Sequence, residues 1–185
     1  MIDSDPKIYF TSGFHPAFAP QFCQIPKDTI ETLIQHPKNV AIGEIGLDDL
    51  NHFSVPLVKQ ELAFIGLMKL AKKYDQPVVL HLATKQQSTY QIFRDLVTQH
   101  LGLNYKVYFH CSGKMRYKWL KELVSLFPRR YFGLNCGTIT ETNLSILNQC
   151  KILLESDSPY FVPKSISRQI EISIFYSSFC LLHSK

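Results

Sequence analysis

Four short apolar runs in this chain each lead into a polar residue that can bind a metal ion. They are residues 40–44, 77–81, 107–110 and 152–157, which end in Glu44, His81, His110 and Asp157. Runs of this length, rich in branched and aromatic residues, are typical of buried parallel strands. Segments with helical spacing lie between them, so the sequence predicts βαβ units and a parallel sheet.

A parallel sheet of this kind would gather the four polar residues at one place. In an α/β barrel the C-terminal ends of the strands point to a shared face, where active sites lie. Imidazoles and carboxylates are ligands for hard and borderline divalent cations. A complete (β/α)8 barrel usually has about 250 residues, whereas this chain has 185. We therefore predict an α/β fold that is an incomplete (β/α)8 TIM barrel with a metal-dependent hydrolase site.

The remaining segments agree with one barrel-like domain. Residues 7–14 and 131–135 read as two further strands. Side chains and prolines that favour helix starts precede the helical segments. The residues predicted to begin helices are Asp28, Ser54 with Pro56, Ser88 and Thr140.

Charge and cysteine usage narrow the class of protein. The net charge of +5 favours an anionic partner such as nucleic acid or a phosphate ester. The five cysteines form no CxxC pair, which argues against a disulfide scaffold and for a reducing compartment. The sequence shows no signal peptide and no apolar stretch long enough to span a bilayer. We expect a location in the cytoplasm or nucleus and no membrane partner.

Five short motifs occur along the chain in a fixed order. They are GFHP at 13–16, GEIGLD at 43–48, PVVLH at 77–81, FHCSG at 109–113 and LLESDSPY at 153–160. Together they resemble the motifs of the TatD family, metal-dependent deoxyribonucleases of the amidohydrolase type. The resemblance covers about residues 7–163.

The resemblance implies a barrel whose strand ends hold one or two divalent cations, namely Mg²⁺, Mn²⁺ or Zn²⁺. Carried over position by position, Glu44 bridges the metals, and His81 and His110 bind one of them. Asp157 binds the other and helps to activate water, so Glu44 and Asp157 are the implied catalytic residues. His15 is either a structural turn residue or a group that binds the substrate, which the resemblance implies is DNA.

Departures from the family pattern affect these expectations. The HxH strand that opens the family is not found, so the resemblance implies that about the first two strands of the barrel are missing. An alanine, Ala83, stands where the family usually has an arginine, and one aromatic residue is missing between Cys111 and Ser112. We expect a partial barrel over residues 1–163, a divergent C-terminal tail over residues 164–185 and weak activity of this chain alone.

Three functions remain open at this point. The first is a TatD-like nuclease that cleaves phosphodiester bonds of DNA. The second is a truncated, non-catalytic relative, and the third is a metal-dependent hydrolase of a small-molecule ester or amide. The missing HxH motif favours the second for this chain. Near the site, we interpret Cys111 as a small core residue and Asp48 as a loop cap rather than a group that orients a ligand. Glu155 is interpreted as a residue that contacts a ligand without binding the metal, or as a structural residue.

Overall fold

The structure is a computed structural model, and it describes residues 5–50, 54–135 and 140–157. Parallel strands in these ranges form one sheet whose strand order is the order along the chain. The strands are β1 (Phe10–Ser12), β2 (Asn39–Asp48), β3 (Val78–Ala83), β4 (Val107–Phe109), β5 (Arg130–Leu134) and β6 (Lys151–Leu154). The predicted α/β class with a parallel sheet is therefore confirmed. The predicted loss of barrel strands stays a prediction.

Helices connect consecutive strands throughout the described ranges. They are α1 (Ala19–Phe22), α2 (Lys27–Ile34), α3 (Leu57–Lys73), α4 (Gln87–His100), α5 (Tyr117–Leu126) and α6 (Glu141–Leu147), with 3-10 turns at Pro16–Phe18 and Ser112–Lys114. The helix start at Thr140 is confirmed, because its side-chain oxygen accepts a hydrogen bond from the Asn143 N–H. The predicted cap at Ser88 is wrong by two residues, since the cap of α4 is Gln86 and the helix begins at Gln87.

Strand β2 is longer than the sequence indicates. The predicted strand ended at Glu44, but pairing with β3 continues as far as Asp48, which lies opposite Ala83. The side chain of Gln60 in α3 holds this extension: its amide oxygen accepts from the Asp48 N–H at 2.8 Å, and its amide nitrogen donates to the Asp48 carbonyl at 2.9 Å. A buried glutamine thus gives the end of the strand the hydrogen-bond partners that a longer ladder would supply. Conversely, β1 is much shorter than the predicted strand over residues 7–14.

The core lies between the sheet and the helices. Phe64 of α3 and Phe93 of α4 stack with ring centroids 5.5 Å apart, and Phe109 of β4 packs on Phe127 and Phe132. All five rings are at most 1% exposed. Burial of one such side chain contributes about 1.5–3 kcal/mol, so these rings fix the helices against the sheet and the strand ends relative to one another.

Two expectations concern parts of the chain that are not described. The proposed tail over residues 164–185 lies outside the described residues, and so does the end of the partial barrel at residue 163. Within the described part, no helix is both long and apolar enough to cross a membrane.

Candidate metal centre

The structure brings together all four predicted metal ligands at the C-terminal side of the sheet. Glu44 lies in β2 and His81 in β3, while His110 follows β4 and Asp157 follows β6. The Nε2 atom of His110 is 3.2 Å from Glu44 Oε1 and 3.4 Å from Asp157 Oδ1. The other oxygen of Glu44, Oε2, is 3.5 Å from His81 Nδ1. Four donor side chains thus point into one small volume.

Glu44 reaches this volume from inside a strand rather than from its end. The register between β2 and β3 shifts between Ile42 and Ile45, so β2 is irregular at Gly43 and Glu44. Such an irregularity re-aims a side chain without ending the strand. The chain is also tightly packed here, because a Cβ atom on Gly13 would lie 2.8 Å from the carbonyl carbon of Gly43.

His110 is held by a second carboxylate. Its Nδ1 lies 2.8 Å from Glu155 Oε2, and Glu155 also accepts hydrogen bonds from the Cys111 N–H at 2.8 Å and from the Tyr108 hydroxyl. An ionised carboxylate can only accept, so Nδ1 carries the proton and Nε2 is the nitrogen that faces Glu44 and Asp157. The expectation that Glu155 contacts a ligand without binding the metal agrees with this placement.

The carboxylates raise the pKa values of both histidines. Burial opposes the charged form of His110, but hydrogen bonds with Asp157, Cys111 and Glu155 outweigh it and raise its pKa well above the usual range. Burial likewise opposes charge on His81, and Asp48 and Glu44 overcome it and raise its pKa. The site therefore carries an excess of negative charge that favours a cation.

The residues present fit a divalent cation. The Nε2 atom of His81 is buried and has no hydrogen-bond partner among the described residues, and its nearest charged contact is Asp48 Oδ2 at 3.8 Å. A buried nitrogen without a partner is costly unless something binds it. Two groups of three donors have ligand atoms within 4.8 Å of one another and meet at His81: His15 with Asp48 and His81, and Glu44 with His81 and His110. This donor set of imidazole and carboxylate suits Zn²⁺, Mn²⁺ or Mg²⁺.

His15 caps a turn and lies beside the site. Its Nδ1 accepts a hydrogen bond from the Ala17 N–H at 3.2 Å and so caps the turn Pro16–Phe18. Its ring also packs edge-on against the ring of His81, with centroids 4.4 Å apart. Burial and the neighbouring His81 lower the pKa of His15 to about 4, so its ring is neutral near pH 7. The residue is thus a turn cap that also borders the site.

Asp48 likewise does more than the sequence suggested. Its Oδ1 accepts from the Leu50 N–H at 2.9 Å, which is the predicted loop cap. Its other oxygen is the one that approaches His81. The structure therefore gives the same carboxylate a position from which it can orient a ligand.

Sequence reasoning missed Cys111. We interpreted it as a small core residue, and that interpretation is wrong: its neighbours are polar, with Sγ 3.1 Å from His110 Nε2 and 3.4 Å from Asp157 Oδ2. The buried Asn135 also donates to this sulfur at 3.2 Å. Burial raises the pKa of the thiol to about 12, although His110 opposes the shift. The only signal in the sequence was the position of Cys111 directly after His110.

A comparison with known families decides the relationship of this chain. The model of a family described as TatD related DNase matches residues 1–176. The chain belongs to the TatD family. The resemblance carried by the five motifs is therefore confirmed.

Individual TatD relatives are similar over most of this chain. It is 27% identical over 166 residues to the human 3'-5' RNA nuclease TATDN2, covering 85% of this chain and 21% of that protein. It is 27% identical over 165 residues to the 3'-5' ssDNA/RNA exonuclease TatD of Escherichia coli, covering 85% of this chain and 60% of that protein. The chain thus spans about three fifths of the bacterial relative and about a fifth of the human one.

Solved structures show the same fold. A TatD family hydrolase from Entamoeba histolytica superposes with a TM-score of 0.67 at 23% identity, over 82% of this chain and 51% of that one. The TatD homologue YJJV from Escherichia coli superposes with a TM-score of 0.61 at 24% identity, over 82% of this chain and 58% of that one. The α/β fold with its parallel sheet is therefore that of TatD structures.

Proposed function

We propose that this chain is the hydrolytic part of a metal-dependent nuclease that cleaves phosphodiester bonds in DNA or RNA. The observation that carries the proposal is the convergence of Glu44, His81, His110 and Asp157 on one volume, where Nε2 of His110 lies 3.2–3.4 Å from both carboxylates. These four residues are the proposed metal ligands, and Glu44 and Asp157 are the proposed catalytic residues.

Each proposed residue has a distinct task. A bound divalent cation would polarise a phosphoryl oxygen and make water more acidic. Asp157 accepts the proton of the attacking water, since its carboxylate stands at the rim of the site beside His110. Glu155 keeps the His110 ring in one orientation and one tautomer through its hydrogen bond to Nδ1. His15 binds the substrate, because its ring lies against His81 at the border of the site.

Nucleic acid is the proposed substrate for two reasons. The relatives are named as nucleases of RNA and of single-stranded DNA and RNA. The net charge of +5 also favours a polyanion over a neutral ester or amide. A location in the cytoplasm or nucleus is part of the same proposal. For residues 1–163 we propose a partial TIM barrel, which the strand order and the similar TatD structures support.

An exonuclease assay tests this function. Single-stranded DNA and RNA labelled at the 5' end would be incubated with the purified chain and Mg²⁺, Mn²⁺ or Zn²⁺, with a chelator as blank. We expect stepwise shortening from the 3' end that requires metal. Replacing the proposed base, Asp157→Asn, should slow it by about 10²–10⁴-fold, the usual contribution of a general base.

A matched charge change separates a catalytic role from a general loss of charge. Glu141 is exposed in the first turn of α6, so Glu141→Gln should shorten the substrate at the wild-type rate. Shortening that survives the chelator, or that Asp157→Asn leaves unchanged, would contradict the proposed function. Metal binding without any turnover would instead favour the non-catalytic alternative.

A further inference from the structure

A sulfur atom belongs to the same cluster as the proposed metal ligands. The side chains of His110, Cys111 and Asp157 form a group whose ligand atoms all lie within 4.8 Å of one another. The motif resemblance assigned no role to the cysteine, and our sequence interpretation placed it in the core. The cluster is built from residues that follow two different strands, β4 and β6, so the fold rather than a local turn creates it.

The distances around His110 lie at or slightly below those between ligands of one metal ion. Its Nε2 lies 3.1 Å from Cys111 Sγ, 3.2 Å from Glu44 Oε1 and 3.4 Å from Asp157 Oδ1. Bonds of about 2.0–2.3 Å at tetrahedral angles separate ligand atoms by about 3.3–3.8 Å. The nitrogen has one lone pair and can bind one cation, and a cation placed there is within reach of Cys111 and Asp157, whose ligand atoms lie within 4.8 Å of that nitrogen and of each other.

We propose that Cys111 Sγ is a ligand of the metal ion bound by His110, so that this site prefers a thiophilic cation such as Zn²⁺ over Mg²⁺. The inference rests on the proposed metal centre and adds a sulfur donor to it. Thiolate is a soft ligand that selects zinc, whereas a site of oxygens and water suits magnesium.

The chemistry of binding is simple. The Sγ–H bond breaks, the proton passes to the buffer and an Sγ–metal bond forms, as for any coordinating thiol. Two polar neighbours fix the sulfur: the amide of Asn135 donates to Sγ at 3.2 Å, and the Sγ–H that is lost on binding donates to Asp157 Oδ2 at 3.4 Å. The backbone of Cys111 is left-handed, with φ of 49°, and its N–H is fixed by Glu155 at 2.8 Å. The side chain therefore has a fixed place beside His110.

Cobalt absorption provides a direct test. Co²⁺ occupies zinc sites and shows a thiolate-to-cobalt charge-transfer band in the near ultraviolet only when sulfur is bound. We would titrate Co²⁺ into the full chain and into a variant in which the other cysteines, at positions 23, 136, 150 and 180, are serine. The band should appear in both proteins. It should disappear in Cys111→Ser, while the visible d–d bands remain.

Affinity gives a second measure. Cys111→Ser should weaken Zn²⁺ binding by at least about tenfold. This is the lower end of the contribution made by a residue that only hydrogen-bonds to a metal ligand. Mn²⁺ affinity, measured by electron paramagnetic resonance, should change by less than about threefold, because manganese gains little from sulfur. Cys150→Ser is the matched control, since its thiol donates to the Ile146 carbonyl in α6 at 3.7 Å and the residue packs against the hydrophobic core.

A measurement on the wild-type protein does not depend on how well the variants fold. X-ray absorption of the zinc-loaded wild type should show a sulfur neighbour at about 2.3 Å. A shell of nitrogen and oxygen alone would overturn the proposal, and so would a charge-transfer band that survives in Cys111→Ser.

The two proposals fail in different ways. If Co²⁺ gives d–d bands that His110→Ala abolishes but no charge-transfer band, the sulfur ligand is wrong and the metal centre stands. If no cobalt binding depends on His110, both the metal centre and the sulfur ligand are wrong.

Discussion

Replacement of Glu155 by glutamine should weaken metal binding although Glu155 is not a proposed ligand. The carboxylate has three hydrogen-bonding neighbours, namely His110 Nδ1, the Cys111 N–H and the Tyr108 hydroxyl. Burial raises the pKa of Glu155, but His110, Tyr108 and the Cys111 N–H outweigh it and hold the pKa below its usual range. The group is therefore an ionised acceptor in the folded protein.

A glutamine cannot satisfy the same neighbours. If its oxygen accepts from the Cys111 N–H, its NH₂ group faces His110 Nδ1 and Tyr108. The amide then donates to Nδ1, and the proton of the neutral ring moves to Nε2, the nitrogen that faces Glu44 and Asp157. If the amide is turned round, its NH₂ group faces the Cys111 N–H, and two donors then lie opposite each other. Both orientations lose at least one charge-assisted hydrogen bond.

The expected loss follows from these contacts. Outer partners of a metal-bound histidine contribute about 10–100-fold in affinity, which corresponds to about 1.4–2.7 kcal/mol. We expect Zn²⁺ affinity of Glu155→Gln, measured by calorimetry, to fall within that range. Tyr108→Phe removes one neighbour and keeps the carboxylate, so its loss should be smaller.

Controls separate orientation of the histidine from stability of the fold. Urea unfolding of Glu155→Gln should show a loss of about 1–3 kcal/mol, the cost of an unsatisfied buried group. Glu141→Gln should change neither quantity. Zn²⁺ affinity of Glu155→Gln within about threefold of the wild type would refute the reasoning, because the tautomer argument requires about tenfold or more.

Three further predictions concern the scaffold and are tested by urea unfolding. Phe93→Ala should destabilise the fold by about 3–5 kcal/mol. The control Leu62→Ala, at a position 52% exposed, should change stability by less than about 0.5 kcal/mol. Similar losses for the two variants would show that Phe93 is not part of the core. Gln60→Leu should cost about 1–3 kcal/mol because the buried Asp48 N–H loses its acceptor, and a neutral effect would contradict the strand extension. Thr140→Ala should cost about 0.5–2 kcal/mol through loss of the cap of α6, whereas no change would show that the cap is dispensable.

The parallel direction of the strands could be predicted from the sequence because the signal is local. Each buried run is apolar, and each is followed by a helical segment, which permits little other than parallel βαβ units. The four polar residues at the runs' ends were identified for the same reason. Their convergence follows from the parallel arrangement alone, because the C-terminal ends of parallel strands lie on the same side of the sheet.

The errors arose where a distant residue decides a local feature. Strand β2 continues past Glu44 because Gln60, in the next helix, binds the backbone of Asp48. The role of Cys111 depends on Asp157, which lies 46 positions along the chain. Hydrophobic periodicity carries no information about either contact. The resemblance to TatD motifs supplied the ligand set, but a residue outside that set could only be found from the structure.

The identity of strand order and chain order has a consequence for the biogenesis of the metal centre. Each strand pairs with the one synthesised just before it, so the sheet can grow by one βαβ unit at a time as the chain emerges. Glu44, His81 and His110 are in place after β4, but Glu155 and Asp157 arrive only with β6. A nascent chain that stops before β6 would present the histidines without the carboxylates that orient and complete them. Metal loading is therefore expected late in synthesis, and retention of the metal would report that β6 has joined the sheet.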